Sequence, residues 1–145
     1  KNKKGREFFL SEIFFRKKKD EDLNDLISKI KKSISEIGFD NTANIYSISE
    51  SSKFGGKVGW LKEEALSKEI YESINNLEVK EYSDVIKIEN NFIILRIDEI
   101  KIVENKIDKE KEKKKLIQIE RNKKLEKFSR IYFNKVKRNY LINEE

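Results

Sequence analysis

Apolar residues recur along this chain first at strand and helix spacings, and then thin out into one long charged stretch. Glu7 to Phe15 (EFFLSEIFF) is rich in aromatics and Ile and predicts a strand. Arg16 to Lys19 is a basic turn, and Asp20, Glu21 and Asp22 offer carboxylates suited to a helix N-terminus. Leu23, Leu26, Ile27, Ile30, Ile34 and Ile37 follow at the spacing of one helical face, and Gly38 is placed to end that helix. Phe39 to Tyr46 predicts a second, shorter helix. Ser47 to Lys57 is rich in Ser and Gly and predicts a loop. Within it, Gly55-Gly56 can take backbone angles closed to other residues.

Val58 to Leu61 predicts a short strand, and Glu63 to Ile74 a helix with Leu66, Ile70 and Ile74 on one face, broken by Asn75-Asn76. Two more strands are expected at Asp84 to Ile88 and Phe92 to Ile100, with Glu89-Asn90-Asn91 suited to a tight hairpin turn. From Lys101 onward the pattern becomes helical and strongly charged; residues 104–124 are polar nearly all round. Leu125, Phe128, Tyr132 and Val136 then form one apolar stripe, and no Pro interrupts the run. Strands that do not alternate regularly with helices predict an α+β sheet.

Composition narrows the chemistry. The chain has 145 residues, of which 41% are charged, well above the typical quarter or so. It has no Cys and no His, which excludes disulfides, thiolate chemistry, a Ser-His-Asp triad and a His-ligated metal. No cofactor and no metal are expected, and no EF-hand loop pattern appears. No apolar run approaches the roughly 20 residues that span a bilayer, so no membrane insertion is expected. Residues 1–100 hold 18 Lys/Arg against 19 Asp/Glu, a net of −1, whereas residues 101–145 hold 15 against 8, a net of +7. That break suggests a boundary: a linker at 1–6, a domain at 7–101 and a basic helix at 102–145. Lys109 to Lys115 interleaves Glu with Lys, the pattern of a solvated, ion-paired helix, so no nucleic acid is expected as a partner.

Several motifs in this order resemble the parvulin family of peptidyl-prolyl isomerases, and most closely the parvulin domains of SurA-like periplasmic chaperones. LSEIFF at Leu10–Phe15 stands in the first strand, Gly38-Phe39-Asp40 at the start of the second helix, and Ala43 to Ser47 in the segment after it. GGKVGW at Gly55–Trp60 is the most specific piece, and Asn91-Phe92-Ile93-Ile94-Leu95-Arg96 is similar to the family's final strand. The resemblance covers about Phe8 to Ile100. It implies a parvulin-like, FKBP-like superfold: an antiparallel four-stranded sheet with surrounding helices, followed here by a long C-terminal helix. That helix resembles the one that closes a helical chaperone domain, whose other part would precede Lys1.

The resemblance also places the site. The family's first-strand histidine falls at Glu12, its last-strand histidine at Ile93, and its Asp/Cys position near Ser49, with Glu50 beside it. The proline pocket falls at Leu66 and Ile70, and Trp60 and Phe92 are expected to help bind substrate. Taken alone, Glu12 reads as a strand-end carboxylate facing solvent or paired with a lysine. Ser47, Ser49, Ser51 and Ser52 read as loop residues, since no base is at hand.

The function this implies is a periplasmic chaperone or foldase that binds unfolded or proline-containing polypeptides with little isomerase activity. Self-association through Leu125, Phe128, Tyr132 and Val136 is a further expectation. The alternatives are an active parvulin isomerase working without histidine, and a basic helical module for nucleic-acid binding or oligomerisation.

Overall fold

A computed structural model describes residues 2–106 and 109–125. Residues Lys4–Glu104 form one compact unit, and Lys1–Lys3 with Asn105–Glu145 form a second. The first unit is built on a four-stranded sheet in the order β2-β1-β4-β3, with β1 at Asn2–Phe15, β2 at Lys57–Lys62, β3 at Ile86–Ile88 and β4 at Asn91–Lys106; residues 2–3 of β1 and 105–106 of β4 fall outside that unit. β1 pairs antiparallel with β2, and β3 with β4. Glu7 meets Lys101, Ser11 meets Asp98 and Arg16 meets Asn91 across the central pair, so β1 and β4 also run in opposite directions. The expected α+β architecture is the one observed.

Helix α1, Leu23–Ile37, begins where Asp22 accepts a bond from the Asp25 N–H, which satisfies one of the free donors of the first turn. Its apolar face buries Leu26 and Ile30 on the sheet, each worth about 1.5–3 kcal/mol. Gly38, at φ 86°, ends α1 and opens α2, Phe39–Tyr46. Together α1 and α2 cover Ile13, Phe15, Phe92 and Ile94 on one face of the sheet. Helix α3, Lys68–Ile74, belongs to the opposite face, where Ile74 packs with Phe8, Leu10, Ile93, Leu95 and Ile97.

Four expectations are corrected. The helix expected over Glu63–Ile74 is divided: a 3₁₀ turn at Glu63–Ala65 is followed by α3, which Ser67 caps by accepting the Ile70 N–H at 3.3 Å. The loop at Ser47–Lys57 contains a second 3₁₀ turn, Glu50–Phe54. The linker at 1–6 is not found, because β1 reaches back to Asn2, and the helix expected from Lys101 starts later, because β4 runs on to Lys106. Beyond the core Lys101, Ile102 and Glu104 are all exposed, so backbone pairing extends the strand with no alternation to announce it. The helix α4 is described over 109–125, and all of those residues are exposed.

Candidate functional site

The sheet face that carries α3 is mostly apolar, and Glu12 of β1 interrupts it. Strand alternation points Phe8, Leu10, Glu12 and Phe14 of β1 to this face. Phe8 and Leu10 are buried there with Ile93, and Phe14, Leu66 and Ile70 are half-buried at the margin. Glu12 thus sits in a row of apolar side chains.

Its carboxylate is held from above by the serine loop. Glu12 Oε1 accepts hydrogen bonds from Ser49 Oγ and Ser51 Oγ, both at 2.8 Å, and the two hydroxyls lie 2.5 Å apart. Ser47 Oγ lies 3.4 Å from Ser49 Oγ and accepts the Phe14 N–H at 3.0 Å. The expectation that Glu12 faces solvent or pairs with a lysine is therefore corrected: it is half-buried, and its partners among the described residues are hydroxyls.

GGKVGW is what brings the loop this close. Gly56 accepts the Glu12 N–H at 2.8 Å, and a Cβ on Gly56 would lie 2.3 Å from the Glu12 carbonyl oxygen, so only glycine fits. Gly59, at φ 110°, sits where the β1–β2 register shifts between Leu10 and Ser11. A bulge of this kind bends a strand and re-aims its side chains.

The apolar margin is positioned by Arg6. Its Nε donates to Glu63 Oε2 at 2.9 Å, its Nη2 donates to the Tyr71 hydroxyl at 3.2 Å, and its guanidinium lies 5.2 Å from the Phe8 ring centroid. The hydrogen bond from Arg6 holds the Glu63 carboxyl below its ordinary range, and the same bond raises Arg6. This clamp ties both ends of the segment around Leu66 to β1. Ile93 is 6% exposed, lies opposite Ile86 and presents only hydrocarbon.

A polar group set among apolar side chains on one face of the sheet, opposite a two-helix layer, is the arrangement observed. The rotamase family model, a PPIC-type PPIase domain, matches residues 8–99. The chain belongs to this family.

The PPIC-type fold is shared by solved structures of low identity. The parvulin domain of PpiD from E. coli is 24% identical, with a TM-score of 0.56 over 68% of this chain and 92% of that one. The foldase protein PrsA from Streptococcus pneumoniae is 18% identical, with a TM-score of 0.61 over 81% of this chain and 44% of that one. PrsA from Bacillus anthracis is 20% identical, with a TM-score of 0.58 over 72% of this chain and 46% of its own. No curated protein matches the chain.

Within the PPIC-type domain the expected site residues divide. Glu12, Ser49, Ile93, Leu66 and Ile70 belong to the groove face or the loop above it. Phe92 and Trp60 do not, and their placement as substrate-binding residues is corrected. Phe92 must face away from Ile93, its neighbour in the strand, and it stacks on Phe15 at 5.7 Å within the α1/α2 core. Trp60 pairs with Phe9 edge-to-face at 5.4 Å, and Lys101 Nζ lies 4.2 Å from its ring centroid. Its neighbour Leu61 takes the groove side instead.

Phe14 and Ser51 were not foreseen. Counting by twos from Glu12 reaches Phe14, and counting by twos from Ser47 reaches Ser49 and Ser51. Of the stripe expected to bind a partner, Leu125 is 64% exposed, while Phe128, Tyr132 and Val136 lie outside the described residues. Among the described residues no helix is long and apolar enough to cross a membrane, and no group of three or more Asp or Glu could hold a metal ion.

Proposed function

We propose that this chain is part of a SurA-like periplasmic chaperone or foldase. Its PPIC-type groove holds extended, proline-containing stretches of unfolded polypeptide and rotates their X-Pro bonds only weakly. The observation that carries this reading is Ile93. An apolar side chain stands where the resemblance places a histidine, while Leu66, Ile70 and Phe14 keep the apolar wall of the groove. Binding an extended chain needs that wall. Lowering a barrier near ~20 kcal/mol needs groups that favour the twisted amide over both planar forms, and hydrocarbon at 93 offers none.

One observation favours a second reading, an active isomerase without histidine: Glu12, Ser49 and Ser51 form a hydrogen-bonded polar cluster. A protease-coupled proline-isomerisation assay run beside an aggregation-suppression assay separates the two. Suppression of aggregation with a rate close to the uncatalysed one supports the holdase. Catalysis at the level of an ordinary parvulin, lost in Ser49→Ala, supports the second reading and overturns the first. The periplasmic assignment is tested by fractionating cells that make the full-length protein; retention in the cytoplasm would refute it.

A further inference from the structure

Among the described residues no cationic side chain is paired with the Glu12 carboxylate. Both serine hydroxyls converge on Oε1, and no lysine or arginine among the described residues lies within ion-pair reach of either oxygen. Oε2 therefore retains its acceptor capacity, since an ionised carboxylate has about four lone-pair positions. The other carboxylate at this margin, Glu63, is already spent on Arg6. The half-buried Glu12 charge is bordered by Leu10 and Phe14 along its own strand, with Ile93, Leu66 and Ile70 on the same face. An apolar surround of this kind strengthens any electrostatic bond formed there.

We propose that Glu12 makes the groove select proline segments with a Lys or Arg next to the proline. A bound cation donating to Oε2 forms a charge-assisted bond that supplies the missing counter-charge. A carboxylate in the same place meets repulsion and loses hydration with no return. This preference rests on the polypeptide-binding reading above, and it runs opposite to the bulk field of the chain. The net charge of +6 would by itself attract acidic segments. The groove and the whole chain thus make opposite forecasts for the same peptides.

The test uses the full chain and three fluorescent peptides that share one apolar-Pro frame and carry Lys, Ala or Glu immediately before the proline. Affinity is read by anisotropy at fixed ionic strength. The Lys peptide is expected to bind about tenfold more tightly than the Ala peptide, and the Glu peptide more weakly than either. In Glu12→Gln, which keeps the side-chain shape and can still accept the serine hydroxyls, the Lys/Ala ratio falls to about one. In Glu50→Gln, which removes an exposed charge from the same loop, the ratio persists. A Lys/Ala ratio of one in the unaltered protein, an undiminished ratio in Glu12→Gln, or an equal collapse in Glu50→Gln would each overturn the proposal. Failure to bind any of the three peptides would refute the polypeptide-binding reading itself, a different result from binding all three alike.

Discussion

Asp98 lies on the face away from the groove, yet the structure makes it the most consequential polar residue of the sheet. It is 7% exposed, accepts Ser11 Oγ at 2.5 Å and receives Arg96 Nε at 2.6 Å. Arg96 in turn reaches Asp40 of α2 at 2.6 Å and lies 4.6 Å from the Phe39 ring centroid. Asp98→Ala strands the Ser11 hydroxyl, which is fully buried, and takes from Arg96 its better-buried partner. Removing one member of a buried pair costs about 3–5 kcal/mol, and orphaning a buried hydroxyl about 1–3. The two costs overlap, and Arg96 keeps Asp40, so a loss of ~3 kcal/mol is expected. At about 4–8 °C per kcal/mol for a domain of this size, Tm falls by roughly 12–24 °C. Urea unfolding followed by Trp60 fluorescence and far-UV circular dichroism measures this directly. A double-mutant cycle with Ser11→Ala should show a coupling of about 0.5–3 kcal/mol. A loss below ~1 kcal/mol at unchanged m-value, or strict additivity with Ser11→Ala, would refute the claim that this network secures α2 to the sheet.

Four further outcomes follow from the same geometry. Gly56→Ala collides with the Glu12 carbonyl and strains a backbone at φ 84°, so its unfolding free energy should drop by more than ~2 kcal/mol. Gly38→Ala, with no atom within 4 Å of the added carbon, meets no clash, but φ 86° with ψ 165° is a conformation kept almost wholly to glycine, so a loss of about 1–3 kcal/mol from backbone strain is expected in the same measurement. Glu63 titrates below its unfolded value, so the Arg6 pair contributes in full above the ordinary carboxylate range and is lost as pH falls through the depressed value. Both partners are about a third exposed, which limits the effect to ~0.2–1 kcal/mol; Arg6→Gln should remove that part of the acid slope in urea melts. Leu66→Ala should weaken capture of unfolded polypeptide about threefold to tenfold, the effect of roughly 1 kcal/mol, as read by aggregation suppression.

How much of this was legible depended on whether a residue's partner was local. α1 was readable to the residue because its cap, its apolar spacing and its terminal glycine all lie within one stretch of chain. The division of Glu63–Ile74 was not, because Arg6 grips Glu63 and Tyr71 from another strand, and Ser67 can act as a cap only once the preceding turn closes. Trp60 and Phe92 were misplaced for a simpler reason. A motif says that a residue belongs to the site region, but strand alternation decides which face it takes, and Ile93 and Leu61 already held the groove side.

The serine loop shows the same limit in its strongest form. β2 has 6 residues against 14 in β1, so it cannot pair with the end of its neighbour. Backbone groups left unpaired at a covered edge are costly, and the loop supplies what β2 lacks. Gly56 O takes the Glu12 N–H, Ser47 Oγ takes the Phe14 N–H, and the Ile48 N–H reaches Phe14 O at 2.7 Å. Read alone, the segment is merely Ser- and Gly-rich. Against β1 it becomes a substitute for a strand, and the same few contacts that satisfy the sheet deliver Ser49 and Ser51 to Glu12. Building the sheet and building the site are therefore one event. A change at Ser47, which never touches the carboxylate, should disturb both at once, by freeing the Phe14 N–H and by loosening the hydroxyls that hold Glu12 in place.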